Sequence, residues 1–176
     1  ENPRTGNTIK INSPKAIIER SKNNIQIFDS SIEIIDKNGS DIIIKSGNSN
    51  LINSDEIIRV FNNVYISLLN KENYFIRTNS LDWNLNTSNI VLDRPLDINF
   101  DNTIISSSNG IYNIDSNLLT IFNNTLNRSI FNINGKLAYQ VEIKSDNAQW
   151  SEKDNALEFS SKLKQVETTI DFLSIK

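Results

Sequence analysis

Residues able to do chemistry are few in this chain, and their types set the first limits. The chain has no histidine and no cysteine. That excludes a Ser-His-Asp triad, a Cys-His pair and any zinc site built on imidazole or thiolate, and it excludes a disulfide framework. The five glycines form no phosphate-cradling loop. Carboxylates remain: Asp93, Asp97 and Asp101 stand four apart in one run, and a pair on one face could divide acid and base roles. Set against Leu92, Leu96 and Ile98, the same spacing reads more simply as a solvated outer face. Trp83 and Trp150 could stack on a sugar, but they occupy the same place in a recurring pattern as Ile18 and Leu51, which predicts an inward, apolar position. The sequons at Asn86-Thr87-Ser88, Asn123-Asn124-Thr125 and Asn127-Arg128-Ser129 arise readily by chance in an Asn-rich chain. No catalytic residue, metal ligand or cofactor site is assigned.

The recurring pattern is what positions these side chains. Five anchors, Ser13, Ser46, Thr78, Ser107 and Ser145, are separated by 33, 32, 29 and 38 residues. Two residues before each comes an isoleucine: Ile11, Ile44, Ile76, Ile105 and Ile143. Three residues after stands a usually small side chain (Ala16, Ser49, Leu81, Gly110, Ala148), and five after a large one (Ile18, Leu51, Trp83, Tyr112, Trp150). Twelve and fourteen after come Ile25/Ile27, Ile58/Val60, Ile90/Leu92, Leu119/Ile121 and Leu157/Phe159. A period of this size signals stacked supersecondary units.

Within each unit the apolar positions alternate with a period of two, as on half-buried strands, and no segment carries the 3.6 period of an amphipathic helix. The 29 Ile and 29 Asn, against four Ala, fit many short strands: β-branched side chains suit a pleated surface, and Asn suits turns and left-handed backbone. Turns are expected at Ser21–Asn24, Asp36–Gly39, Asn53–Asp55 and Asn132–Gly135, with residues 1–8 a loose lead-in. Apolar positions before an anchor share its parity, whereas those after it do not. Faces alternate strictly along a strand, so each anchor must be followed by one extra residue, a bulge or bend that carries the strand round a corner. Stacked corners fold a sheet along its length. The expectation is an all-β, elongated folded-sheet β-jelly-roll of about five two-to-three-strand repeats, spanning residues 1–176 as a single domain. Its inward apolar set is Ile11, Ile18, Ile27, Ile44, Leu51, Val60, Ile76, Trp83, Leu92, Ile105, Tyr112, Ile121, Ile143, Trp150 and Phe159.

The net charge of −3 and the lack of a clustered basic face give no field for nucleic acid. Lys10, Lys15, Arg20 and Lys22 gather near the N-terminus, where solvated surface explains them. No apolar stretch is long enough to span a bilayer. A first residue of Glu rather than Met predicts that a segment, signal or anchor, precedes it.

Three stretches, Asn12-Ser13-Pro14-Lys15-Ala16, Thr78-Asn79-Ser80-Leu81-Asp82-Trp83-Asn84 and Leu92-Asp93-Arg94-Pro95, resemble the periplasmic LptC component of the lipopolysaccharide-export bridge, most of all its cyanobacterial branch. The likeness runs over nearly the whole chain and is carried by serial repetition of short motifs. It implies a β-jelly-roll open at both ends, held to the inner membrane by an N-terminal helix absent from this chain. It also implies a non-catalytic role: the inward set holds acyl chains of lipopolysaccharide and passes them from an inner-membrane ABC transporter, at the N-terminal edge, to a second β-jelly-roll at the C-terminal edge by strand addition. The mild acidity of the chain is a departure, because the ligand is anionic, so affinity would come from acyl burial. Strands about 4.8 Å apart make a trough roughly 20–25 Å long, room for about a dozen carbons at about 0.8 kcal/mol each. Two other readings stand beside this one. A β-solenoid surface adhesin or carbohydrate-processing protein would show an outward row of aromatics and carboxylates. A soluble middle segment of the same bridge would lack the anchor.

Overall fold

Asparagine and hydroxyl side chains place the turns and corners from which the fold is built. The computed structural model describes residues 6, 8–22, 24–35, 41–52, 56–68, 74–151, 154, 156–162 and 165–172. Fourteen strands follow in order: β1 (Thr8–Asn12), β2 (Lys15–Glu19), β3 (Asn24–Ile35), β4 (Asp41–Ile52), β5 (Ile57–Leu68), β6 (Phe75–Asn84), β7 (Asn89–Leu92), β8 (Leu96–Phe100), β9 (Thr103–Ser107), β10 (Asn109–Asn113), β11 (Leu118–Phe131), β12 (Leu137–Ser151), β13 (Ala156–Ser160) and β14 (Glu167–Phe172). One 3-10 turn, Arg20–Lys22, links β2 to β3. Thr8, expected in the lead-in, instead pairs with Ile35 as the first residue of β1. The turns expected at Asp36–Gly39 and Asn53–Asp55 lie outside the described residues.

All strands belong to one antiparallel sheet, in the order β1-β3-β4-β5-β6-β7-β10-β11-β12-β13 along one path, with β2, β8, β9 and β14 completing it. Six strands (β3, β4, β5, β6, β11, β12) run unbroken through a corner at mid-length. The pairs β1/β2, β7/β8, β9/β10 and β13/β14 are equivalent legs broken at that corner. The sheet is thereby folded into two walls. Wall one holds β2, β7, β10, β13 and the turn-side halves of the long strands; wall two holds β1, β8, β9, β14 and the other halves.

The corner is made by two alternating devices. On one set of legs the anchor hydroxyl bends the chain by donating to the carbonyl two residues on: Ser13 to Lys15, Ser46 to Asn48, Thr78 to Ser80, Ser107 to Asn109, and Ser145 to Asn147. Such local side-chain bonds offer the backbone an alternative to the ladder. On the intervening legs the bend is a residue in left-handed conformation: Asp29 at φ 48°, Asn62 and Asn63 at 67° and 55°, and Asn123 at 49°. Asp and Asn are the side chains that tolerate this backbone best. The β7–β8 leg instead turns at the cis Arg94–Pro95 bond. Neighbouring devices interlock: the Ser13, Thr78 and Ser107 hydroxyls also reach the carbonyls of Phe28, Asp93 and Phe122 on the next leg. The residue after each anchor absorbs the parity change. Phe28 pairs with Asn48 and Ser30 with Ser46, which leaves Gly47 opposite Asp29.

Hairpin turns at the rim of wall one repeat their chemistry as well. Six residues after an anchor, Asn84 and Asn113 accept backbone N–H groups of the turn through Oδ1, and Ser151 does so through its hydroxyl. Ten after, Glu56, Ser88 and Asn117 are left-handed, with φ of 51°, 55° and 51°.

The core lies between the walls. Ile32, Ile34, Ile44, Val60, Leu81, Leu92, Leu96 and Ile114 are wholly buried. Space is tight just inside the corner: a Cβ on Gly110 would sit 2.9 Å from Leu96 Cδ2 and 3.1 Å from Ile121 Cγ2. In this repeat the position three after the anchor therefore has no room for a side chain.

Candidate functional site: an inward apolar trough

Cross-strand register gathers the fifteen expected inward residues into three continuous rows. The first runs along wall one as Ile18–Ile25–Leu51–Ile58–Trp83–Ile90–Tyr112–Leu119–Trp150–Leu157. The second lies nearer the corner: Ala16–Ile27–Ser49–Val60–Leu81–Leu92–Gly110–Ile121–Ala148–Phe159. The third crosses wall two as Ile11–Ile32–Ile44–Ile66–Ile76–Ile98–Ile105–Leu126–Ile143–Thr168. The residue five after an anchor faces the one twelve after, and the residue three after faces the one fourteen after. The pattern read from the sequence is the hairpin register itself.

Along these rows burial is uneven. From β3 to β10 the walls meet and the space is filled: Ile44, Val60 and Leu92 are fully covered, Ile58, Ile66, Ile76 and Ile105 almost so, and Trp83 is 2% exposed. Among the described residues its buried indole N–H has no hydrogen-bond partner, an arrangement that costs free energy. At the N-terminal end β2 is uncovered among the described residues, and Ile18, in the inward row, is 68% exposed. At the C-terminal end the walls part. Ile143, Trp150, Leu157 and Phe159 pack only partly against the core, and a cavity of about 500 Å³ opens between them.

This cavity is where the trough has room. Its apolar lining is Leu126, Ile130, Val141, Ile143, Trp150, Leu157 and Phe159; Tyr74, Phe100, Asp101, Thr103, Arg128 and Tyr139 add polar or aromatic groups, Arg128 and Tyr139 from the same two strands, β11 and β12. Tyr74 donates to Asp101 Oδ2 at 3.2 Å and its ring lies 6.1 Å from that of Phe100. Burial, and then the Asp101 carboxylate, raise the Tyr74 phenol above its ordinary range, so it is an un-ionised donor at neutral pH. The arrangement offers an apolar chamber with a polar lip, suited to an amphiphile rather than to bond-making chemistry. Ile130, Val141 and Leu126 were outside the expected set. Leu126 extends the third row, Val141 stands four before Ser145 as Ile9 and Ile42 stand before their own anchors, and Ile130 lies where β11 and β12 run on past β9.

The three aspartates do not converge. Asp93 accepts from Ser80 and Asp97 from Ser106 on exposed surface, while Asp101 is in the β8–β9 turn. Both tryptophans lie in the inward row. Of the N-terminal basic residues, Lys10 pairs with Glu33 at 3.4 Å and Lys15 lies over the Phe28 ring.

Comparison with known proteins places the fold. No family model matches the sequence, and no curated protein matches it. Among solved structures it is similar to LptH from Pseudomonas aeruginosa, described as the LptA homologous periplasmic component of the conserved lipopolysaccharide transport device. The TM-score is 0.50 at 9% identity, over 64% of this chain and 80% of that one. At that identity the likeness shows the fold: the chain is an all-β, LptA-like jelly-roll.

Proposed function

We propose that this chain is a non-catalytic lipid-transfer adaptor of a lipopolysaccharide-export bridge in the periplasm. Acyl chains of lipopolysaccharide lodge between the two walls and pass to the next β-jelly-roll. The observation that carries this reading is the trio of continuous inward apolar rows ending in an amphiphile-sized chamber, in a fold shared with a transport-bridge component. Unpaired edges support the bridge geometry. Among the described residues β1 and β2 pair only with β3, and β13 and β14 only with β12. Such edges invite strand addition from a neighbour.

The finer assignment, LptC held to the inner membrane with its ABC transporter at the β1–β2 edge, rests on the three LptC-like stretches. A soluble middle segment is the second reading, favoured by the solved structure, which is described as LptA homologous. Whether the encoded protein carries a membrane helix ahead of Glu1 separates the two.

The test uses a photo-crosslinking residue at Tyr139 and purified lipopolysaccharide. Capture is expected, with loss of most of it in Leu157→Asp, which puts a charge in the chamber wall while leaving the filled rungs intact. Capture undiminished in a folded Leu157→Asp variant would remove the chamber from the reading. Aspartate at Ile76 or Leu92 is a poorer test, because those side chains are 1% and 0% exposed and a buried unpaired charge unfolds the rung.

A further inference from the structure

The longest hairpin is the part of the surface that the trough does not explain. Strands β11 and β12 run to 14 and 15 residues. Their pairing continues through Ser129–Gln140, Ile130–Tyr139 and Phe131–Leu137, beyond Arg128, where β9 ends opposite Thr103. The arm therefore projects past its β9 neighbour. Its tip is ordered: the Asn132 Oδ1 accepts the N–H groups of Asn134 and Lys136 at 2.9 and 3.0 Å, the Asn132 N–H donates to the Lys136 carbonyl at 2.8 Å, and Gly135 takes φ 72°. At the apex of this built turn Ile133 is fully exposed, and Phe131 beside it is 47% exposed. A rigid tip bearing a bare isoleucine gains nothing for the isolated fold.

Charge identifies the occupant. In an acidic chain, residues 116–141 contain Arg128 and Lys136 and no carboxylate. The nearest carboxylates stand back from the tip: Asp171 is paired with Gln140, and Asp101 is in the β8–β9 turn beside Asn102, whose carbonyl accepts the Ser129 N–H. We propose that the β11–β12 hairpin tip docks on an anionic lipid surface, with Ile133 and Phe131 entering the headgroup boundary and Lys136 and Arg128 resting against the phosphates. Apolar side chains flanked by cations are the combination such surfaces retain. The chamber residues Ile130 and Tyr139 lie on the same arm, so docking would also set the chamber's mouth toward the lipid. The inference does not depend on what the chamber holds.

The test is co-sedimentation of the full chain with vesicles, either pure phosphatidylcholine or phosphatidylcholine with phosphatidylglycerol. Wild type should pellet with the anionic vesicles and less with the neutral ones. Ile133→Asp should lower partitioning about tenfold without changing thermal unfolding, since a fully exposed side chain holds nothing in the fold. Ile104→Asp, at an isoleucine 50% exposed on β9, should partition as wild type. Because the chain has no cysteine, a polarity-sensitive dye on Ile133→Cys reports the tip alone, and its emission should shift to the blue on anionic vesicles. Wild type that stays in solution overturns the proposal, as does Ile133→Asp that pellets normally or a dye that does not shift. Lipopolysaccharide capture at Tyr139 in detergent is a separate readout: its loss would overturn the transfer reading and leave this one standing.

Discussion

A hydroxyl at the corner contributes more than its polarity suggests. Thr78 Oγ1 lies between the carbonyls of Ser80 and Asp93, and only 5% of the residue is exposed. Thr78→Val keeps the shape and removes the donor, so it should cost about 1–3 kcal/mol for the stranded carbonyl. Thr78→Ser restores the hydroxyl that the other four repeats use and should cost less than about 1 kcal/mol, the value of one buried methyl. Urea denaturation decides it; a valine variant as stable as the serine one would show that the hydroxyl is incidental. Gly110→Ala is the steric counterpart. Its Cβ would meet the Thr120 carbonyl at 3.1 Å as well as Leu96 and Ile121, and overpacking of that kind costs about 1–3 kcal/mol. The corner hydroxyls were legible in the sequence because their type and spacing recur. Their partners on the even legs were not, since Asp29, Asn62 and Asn123 look like any other polar residue until the register sets them opposite Gly47, Asn79 and Asp146.

Elements in this fold are legible to the degree that they repeat. The parity change at each anchor requires a corner, and the corner is present in every repeat; the pairing of positions five with twelve and three with fourteen then follows as a hairpin. The shape of the interior was not legible, because the same Ile-rich rows can close on each other or stand apart. The two tryptophans measure that difference. Trp83 is sealed between β5 and β7, whereas Trp150 flanks the chamber. Trp83→Ala should therefore cost about 3–5 kcal/mol, as for a buried aromatic. Trp150→Ala, at a side chain only partly buried and with room beside it, should cost less than half as much. Equal losses in chemical denaturation would mean that the C-terminal rungs are as tightly packed as the middle ones.

Over the whole molecule, the filled middle and the roomy C-terminal end bear on how a lipid could move. A ligand cannot lie along the full trough while Ile32, Ile44, Ile66 and Leu92 occupy the space between the walls. Either the walls spread or the lipid is confined to the C-terminal chamber. Spreading would break the packing of a core whose members are mostly 2% exposed or less, at about 1.5–3 kcal/mol for each large side chain uncovered. Several rungs opening together would cost more than the marginal stability of a domain this size, unless a partner strand or the ligand itself took the place of the lost contacts. The unpaired edges at β1–β2 and β13–β14 are where a partner could supply that help. On the proposed transfer reading, the isolated chain should therefore bind lipopolysaccharide at one end only. A photo-crosslinking residue at Tyr139 should capture it, and the same residue at Ile66 should give less than about a tenth of that yield, the ratio expected for an opening cost above about 1.4 kcal/mol. On the same reading, adding a second β-jelly-roll that pairs with an edge should raise the Ile66 yield toward that of Tyr139. Equal yields from the isolated chain would show that the middle rungs open unaided, and the closed core would then be a resting state separated from the open one by less than that amount.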